Sequence, residues 1–211
     1  MGLISDIENL RNSRIEENVS QRLKEFSNFP NKSDEEWYSE LCFCLLTANS
    51  RADSAMRIQN QVGPRGFLMS PKENIAQVIR LNKHRFHNNK AKFICEARKY
   101  KNIKEIINEI LNDNGETGAR EWLVKNIKGL GYKEASHFLR NTGSKNVAIL
   151  DRHILNLMVE NNLLDKKPAS LNKKKYLEIE KKFSGIAKTL KMSLAELDLY
   201  MWYMKTGVVL K

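Results

Sequence analysis

The chain has 211 residues, of which 41% are hydrophobic and 29% are charged, and this balance predicts a globular protein of one large or two small domains. No apolar run approaches the length needed to cross a membrane, and no basic-then-apolar leader follows Met1, so we expect a cytoplasmic protein. The formal net charge of +11 favours a polyanionic partner, most commonly nucleic acid, although a basic surface that serves only solubility is equally compatible.

The apolar residues predict an all-α protein, because nearly every segment repeats them at helical spacing and none alternates as a strand would. The spacing over residues 7–26 predicts one N-terminal helix or a pair of helices. A capping box beginning at Ser33 predicts the next helix, and Ser70 as a cap with Pro71 in the first turn predicts another. Ser193 should cap the last helix. Further helices are predicted at 51–62, 88–100, 102–113, 118–126, 132–142, 152–161, 173–190 and 194–205.

The most specific local pattern is a helix that runs into Gly129-Leu130-Gly131 and resumes at Tyr132. Glycine adopts a positive φ without steric cost, so two glycines one residue apart predict a tight hairpin between the helices. The amide groups at the start of the second helix would then point outward, where they can bind an anion such as a DNA phosphate. We therefore predict a helix-hairpin-helix motif that binds DNA through Gly129 and Gly131.

Two ionisable residues follow the hairpin. Lys133 lies in the first turn of the second helix, and Asp151 comes 18 residues later, directly before Arg152 and His153. Each has an ordinary structural interpretation: most lysines lie on the surface, and an aspartate at a helix start is a cap that contributes about 1 kcal/mol to stability. The hairpin directly before the lysine favours a functional pair instead.

The hairpin, the lysine and the aspartate together resemble the helix-hairpin-helix superfamily of base-excision DNA glycosylases. Within it, the string Lys-Glu-Ala-Ser-His-Phe-Leu-Arg-Asn at 133–141 is similar to the all-helical, archaeal-type 8-oxoguanine DNA glycosylase/AP lyase family. The similarity continues at 35–37, 41–44, 150–155 and 196–207, over nearly the whole chain. It implies a six-helix subdomain at 35–144, with the helix-hairpin-helix at about 118–143, a second helical subdomain of 1–34 plus 145–211, and an active site in the cleft between them.

The resemblance also implies a mechanism. Lys133 would attack the C1′ carbon of the damaged nucleotide, release the base and form a Schiff base, through which the strand is cut by β-elimination. Asp151 would stabilise the positive charge that develops on the sugar and assist proton loss from the lysine. A nucleophilic lysine has to be partly neutral, which burial and a helix N-terminus both favour.

Flipping a base out of a duplex requires side chains that fill the gap left behind. The resemblance assigns the gap-filling amide to Asn49, in a turn after an apolar helix. Arg85 and Phe86 lie between two predicted helices, where an exposed aromatic beside an arginine could wedge the opposite strand, although Phe86 could equally be a core residue. Nine lysines within 166–191 could follow the phosphates or could form only a solvated face.

Recognition of the base is implied for three residues near the C-terminus: Asp198, Trp202 and Lys211. 8-Oxoguanine differs from guanine by a hydrogen on N7 and an oxygen on C8, so a discriminating pocket needs an acceptor facing N7. The alternative for Lys211 is a frayed end, which is the usual fate of a terminus.

No metal or organic cofactor is expected in this chemistry, and no iron–sulfur cluster either, because no cysteine follows Cys95. A monovalent cation could bind the hairpin carbonyls as a structural aid. The expected partner is double-stranded DNA containing 8-oxoguanine or abasic sites, bound by a monomer at the nucleoid, without membrane involvement. The alternatives are a sibling glycosylase for another lesion and a non-catalytic helix-hairpin-helix module that only binds DNA.

Overall fold

The computed structural model describes residues 2–211, and within that range it contains helices and no β-strand. The predicted all-α fold is therefore confirmed. The eleven α-helices in this range are α1 Leu3–Arg11, α2 Ile15–Asn28, α3 Asp34–Thr47, α4 Ala52–Met69, α5 Lys72–Leu81, α6 His87–Ala97, α7 Ile103–Asn126, α8 Tyr132–Asn141, α9 Arg152–Glu160, α10 Lys173–Leu190 and α11 Leu194–Thr206. Two 3-10 turns, Phe29–Asn31 and Arg98–Tyr100, occur beside them.

The chain divides into two compact units. One comprises Met1–Phe29 with Arg140–Lys211, and the other comprises Pro30–Leu139. The sequence placed the boundaries at residues 35 and 144, whereas in the structure they lie five residues earlier, at 30 and 139. The second boundary falls inside α8, so the last two residues of that helix group with the unit that follows it.

Helix α3 forms the core of Pro30–Leu139. Every residue from Trp37 to Ala48 is buried, and helices α4, α6 and α7 pack around it. A helix that is buried on all sides needs neighbours on all sides, and each fully buried leucine contributes roughly 1.5–3 kcal/mol to stability. The ring of Trp37 also meets the edge of Phe138 in α8, with centroids 5.9 Å apart.

Helix α11 plays the corresponding role in the other unit. Its residues Leu194 and Ala195 and the stretch 197–201 are buried, and helices α1, α2, α9 and α10 pack against it. The chain entering the helix is fixed by the amide of Ala195, which donates to the carbonyl of Lys145 at 3.1 Å.

Two of the predicted caps are confirmed. The hydroxyl of Ser33 accepts the amide of Glu36 while the Glu36 carboxylate accepts the amide of Ser33, which is a complete capping box. Ser193 caps α11 by accepting the amide of Glu196 at 3.1 Å.

The predicted start of α5 is wrong by one residue. Ser70 ends α4, and its amide donates to Gly66 at 2.9 Å, while Pro71 rather than Ser70 occupies the N-cap position of α5. A residue before proline is biased toward extended backbone, and Ser70 has φ −69° and ψ 145°. Neither residue caps α5 through its side chain.

Two helices continue past glycines at which the sequence predicted an interruption. Helix α4 kinks at Gly63 (φ 69°) and resumes at Pro64, and α7 kinks at Gly115 (φ 66°). The predicted ends at 62 and 113 match these kinks, but the six residues of α4 from Pro64 to Met69 were missed. Proline is compatible with the first turn of a helix, so it restarts α4 here.

Candidate active site and DNA-binding segments

The hairpin between α7 and α8 is built on Gly129. The amide of Ile127 closes α7 on Leu123 at 2.9 Å, and the amide of Leu130 donates to Ile127 at 3.2 Å. Gly129 has φ +95°, and a β-carbon on it would lie 2.5 Å from the ring of Phe93. Backbone conformation and packing therefore both require glycine at this position.

Gly131 has a different role from the one predicted. It does not take a positive φ, so the expectation that both glycines supply left-handed backbone is wrong for this residue. Its carbonyl accepts the amide of Ala135 at 2.9 Å, which makes it the cap residue of α8. Its amide, which the sequence left available to a phosphate, donates to the carboxylate of Glu134 at 3.2 Å.

Lys133 is the second residue of α8, two positions after this cap. Its side chain is 24% exposed, and its Nζ lies 3.2 Å from Oε1 of Glu134, whose own side chain is 13% exposed. Glu134 therefore binds the hairpin backbone with one oxygen and Lys133 with the other. An amine held in this way has a defined position and yet remains open to a substrate.

A second lysine lies near this pair. Lys90, in α6, is 5% exposed, and its Nζ donates to the carbonyl of Leu45 at 2.6 Å. Burial lowers the pKa of Lys90 to about 8, with Glu134 opposing the shift and the positive charge of Lys133 adding to it. The two lysines and Glu134 therefore form one electrostatic cluster within Pro30–Leu139.

Asp151 caps α9. Its Oδ1 accepts the amides of His153 and Ile154 at 2.8 and 2.9 Å, so the predicted cap is confirmed. Among residues 2–211 no other group binds its second oxygen, Oδ2. The cap therefore fixes the carboxylate while leaving one oxygen available.

Asn49 is an exposed residue in the turn that follows α3. It has φ 57°, a left-handed conformation that asparagine tolerates better than most residues. The turn is closed by the amide of Ser50, which donates to Thr47 at 3.2 Å. The amide side chain is thus held at the tip of a tight turn.

Arg85 and Phe86 lie between α5 and α6. Arg85 is exposed, and Phe86 is half-buried, between the exposed aromatic and the core residue that the sequence allowed. The guanidinium lies 4.7 Å from the centre of the Phe86 ring, within cation–π range. The amide of Phe86 donates to Nδ1 of His84 at 3.2 Å, and Nε2 of the same ring lies 2.9 Å from the carbonyl of Leu46, next to the Asn49 turn.

His84 is thus the link between the two predicted DNA-contacting segments. Its two contacts fit the neutral tautomer, in which Nδ1 accepts and Nε2 donates. Burial lowers the pKa of His84, as do the nearby charges of Lys90 and His87. One buried imidazole thus binds both the end of α3, just before the Asn49 turn, and the backbone of Phe86.

The three residues predicted to recognise the base lie in the other unit, as does Asp151. Asp198 is buried and its Oδ2 lies 2.8 Å from Nη1 of Arg140. The ring of Trp202 is half-buried and meets His153 edge-on at 5.0 Å, and among residues 2–211 no acceptor binds its covered indole N–H. Lys211 is half-buried rather than fully exposed.

Among the nine lysines at 166–191, only Lys175 is half-buried and the others are exposed. Lys175 pairs with Glu178 at 3.1 Å, and Lys182 donates to the carbonyl of Leu163 at 3.0 Å. Within residues 2–211 no cluster of histidine, cysteine and carboxylate side chains could hold a metal ion. The helices in this range include none that is long and apolar enough to span a membrane.

Comparison with known proteins agrees with this arrangement. The family model described as 8-oxoguanine DNA glycosylase matches residues 19–192. The chain belongs to this family. The 8-oxoguanine DNA glycosylase/AP lyase of Methanocaldococcus jannaschii is 51% identical over 211 residues, all of both chains. That of Korarchaeum cryptofilum is 46% identical and covers 99% of this chain and 98% of its own.

The fold of the family is shared as well. The crystal structure of the M. jannaschii 8-oxoguanine glycosylase/lyase in complex with a 15mer DNA containing 8-oxoguanine has a TM-score of 0.95 at 50% identity and covers 99% of each chain. The Thermotoga maritima 8-oxoguanine DNA glycosylase structure has a TM-score of 0.91 at 38% identity, covering 99% of this chain and 98% of that one.

Sequence reasoning missed two members of the lysine cluster. Glu134 could have been found, because it follows the cap residue Gly131 by three positions, the spacing of a capping-box carboxylate. No local signal marks Lys90, because its burial depends on a carbonyl that is 45 residues away in the sequence.

Gly129→Ala should destabilise the protein by about 1–3 kcal/mol, because alanine resists the left-handed backbone and its β-carbon meets Phe93. Gly131→Ala is the matched control, since its β-carbon would meet only the Glu134 carboxylate at 3.2 Å. Urea denaturation measures both, and equal losses for the two variants would contradict the separate roles of these glycines.

Asp198→Asn should cost roughly 3 kcal/mol, because it removes the charge of one partner from a buried ion pair. Glu160→Gln removes the carboxylate from the Lys205–Glu160 pair, whose glutamate side chain is 52% exposed, and should cost less than about 1 kcal/mol. Thermal and chemical denaturation compare the two. A stable Asp198→Asn protein would mean that the Arg140 contact adds little.

Proposed function

We propose that the protein is a bifunctional base-excision repair enzyme that removes 8-oxoguanine from double-stranded DNA and then cleaves the abasic strand. The observation that carries the proposal is Lys133, a partly exposed amine in the first turn of α8, directly after a helix-hairpin-helix turn. The names and the full-length similarity of the relatives support the same activity. We propose that the protein acts at the nucleoid, in the cytoplasm.

Lys133 is the proposed nucleophile. A neutral amine attacks C1′ as the bond to the base breaks, so the base departs and nitrogen becomes bonded to the sugar. Ring opening and loss of a proton from nitrogen give a Schiff base, whose electron-withdrawing C=N permits β-elimination of the 3′ phosphate.

Asp151 is proposed to act on the same sugar. Departure of the base leaves positive charge on the ring, and a carboxylate stabilises that charge. The cap holds Oδ1 rigidly on two amides, which leaves Oδ2 for the sugar or for the proton of the lysine. Capping and catalysis thus use different oxygens of one group.

DNA is proposed to contact three segments of Pro30–Leu139. The hairpin approaches the phosphates through its backbone at Gly129, and Gly131, whose own amide binds Glu134, permits the approach because it has no side chain. Asn49, at the tip of its turn, fills the space left by the flipped base, and Arg85 with Phe86 wedges the opposite strand. The exposed lysines at 166–191 add charge that follows the phosphates.

Recognition of the flipped base is proposed for Trp202, Asp198 and Lys211. The half-buried indole offers a stacking surface. The Asp198 carboxylate is held by Arg140, so a base that reached it would meet an acceptor whose orientation is already fixed. The chemistry proposed here uses no metal or organic cofactor, because the amine itself activates the sugar.

Lys133→Gln should abolish both base release and strand cleavage while leaving binding to lesion DNA largely intact, because only the amine is lost. Borohydride trapping of a DNA–protein adduct measures this directly. Lys128→Gln is the control, since it removes a lysine of the same hairpin that is 63% exposed. If folded Lys133→Gln protein still formed a trapped adduct, the nucleophile would be another residue. If the wild-type protein formed none, the protein would be a module that only binds DNA.

Asp151→Asn should slow base excision by roughly a hundredfold or more, because the charge near the sugar is lost. Its stability should change little, since asparagine also caps helices well. Asn172→Ala is the control: it removes the side chain that caps α10 by accepting the amide of Lys175, at a cost of about 1 kcal/mol. If Asp151→Asn protein kept normal turnover, the role of Asp151 would be limited to capping α9.

A further inference from the structure

The segment 147–150 leads directly into Asp151. All four of its residues are buried, and none of them belongs to a helix or a strand. Buried backbone amides and carbonyls have to find hydrogen-bond partners, and an irregular segment has no regular ladder to provide them. The groups that bind this segment therefore help to decide where Asp151 lies.

Helix α10 supplies such partners from two side chains. The hydroxyl of Tyr176 donates to the carbonyl of Ala148 at 2.7 Å and accepts the amide of Leu150 at 3.3 Å. The carboxylate of Glu180 accepts the amide of Ala148 at 2.8 Å. Tyr176 and Glu180 are four residues apart, so they lie on the same face of α10. One face of α10 thus binds the backbone that precedes Asp151.

Tyr176 is suited to this task because it is almost completely buried. Its side chain is 1% exposed, and its hydroxyl uses both its donor and its acceptor function on the segment 147–150. A buried tyrosine hydroxyl needs a partner, and a buried backbone group that loses its partner is costly. The contact therefore fixes the segment from both sides of Ile149.

Asp151 itself is held by the chain on either side of it. Its amide donates to the carbonyl of Ile149 at 3.0 Å, and its carbonyl accepts the amide of Leu155 at 3.0 Å. Its Oδ1 accepts two amides at the start of α9. The cap orients the carboxylate relative to α9, whereas Tyr176 and Glu180 fix the backbone that leads into it.

We propose that Tyr176 is a positioning residue of the active site, which together with Glu180 holds the segment 147–150 so that Oδ2 of Asp151 stays where the sugar requires it. The proposal rests on the proposed role of Asp151 in base excision. Tyr176 is too deeply buried to touch the sugar or the base, and it acts only through the backbone before Asp151. A displacement of a catalytic group by about 1 Å can slow a reaction by roughly a hundredfold.

The test is a double-mutant cycle on the single-turnover rate of 8-oxoguanine excision, measured with saturating enzyme at a temperature where every variant is folded. Tyr176→Phe removes only the hydroxyl and should slow excision roughly tenfold, with the affinity for the lesion duplex unchanged. In the Asp151→Asn background the same substitution should slow excision by less than about twofold, because residues that act through one group are not additive.

A purely structural role of Tyr176 predicts a different pattern. Tyr176→Phe would then lower the unfolding midpoint without changing the rate, or would slow excision by the same factor in both backgrounds. Either result would overturn the proposal. Tyr38→Phe is the matched control, because it removes another buried hydroxyl, which donates to the carbonyl of Ile94 in the unit Pro30–Leu139. It should lower stability and keep the excision rate, and a loss as large as that of Tyr176→Phe would contradict a specific role.

Glu180 provides an independent arm if Tyr176→Phe does not fold. Glu180→Met removes the acceptor of the Ala148 amide and should slow excision, again only while Asp151 is present. Glu180→Gln keeps an oxygen acceptor at this position and should keep most of the wild-type rate. An unchanged rate in Glu180→Met, or an equal loss in the two variants, would rule out positioning through the Ala148 amide.

Failure of the proposed function looks different again. A wild-type protein that releases no 8-oxoguanine would overturn the proposed function itself. A wild-type rate in Asp151→Asn would remove the role of Asp151, and the positioning role of Tyr176 with it. If the wild-type protein and Asp151→Asn both behave as proposed while Tyr176→Phe keeps the wild-type rate, only the role of Tyr176 is wrong.

Discussion

The end of α3 is the constraint on which the DNA-facing part of Pro30–Leu139 depends. The helix is buried as far as Ala48, so its last carbonyls cannot turn to water and must find donors inside the protein. The hydroxyl of Thr47 binds the carbonyl of Cys44 at 2.8 Å, and Lys90 and His84 bind the next two. Asn49 can therefore be exposed at a fixed position, while the carbonyl groups at the end of α3 remain shielded from water.

Two carboxylates show how a helix start can serve more than one purpose. Asp151 precedes α9, and one of its oxygens accepts two backbone amides. Glu134 lies inside α8, and its carboxylate accepts the amide of Gly131. Backbone groups already fix both carboxylates, so each side chain loses less conformational entropy when a substrate binds. Asp151 is proposed to act on the sugar, and Glu134 is paired with the amine of Lys133.

Much of this could be predicted from the sequence, because the signals are local. Helical spacing located the helices, and serines at the right distance from glutamates located two caps. The glycine-rich hairpin brought attention to Lys133, and an aspartate before an apolar helix located the cap of α9. The roles of Lys90 and of the Arg140–Asp198 pair could not be predicted, because each depends on a partner that is distant in the sequence and that periodicity does not reveal.

The contact between Gly129 and Phe93 has a consequence for how such a hairpin can evolve. The ring of Phe93 covers the space beside Gly129, and Nζ of Lys128 lies 5.7 Å from its centre. A smaller residue at position 93 would make room for a side chain at 129, but the left-handed backbone would still resist one. The ring of Phe93 and the left-handed backbone each disfavour a side chain at position 129. A single substitution at either position 93 or position 129 therefore cannot replace this glycine without loss of stability.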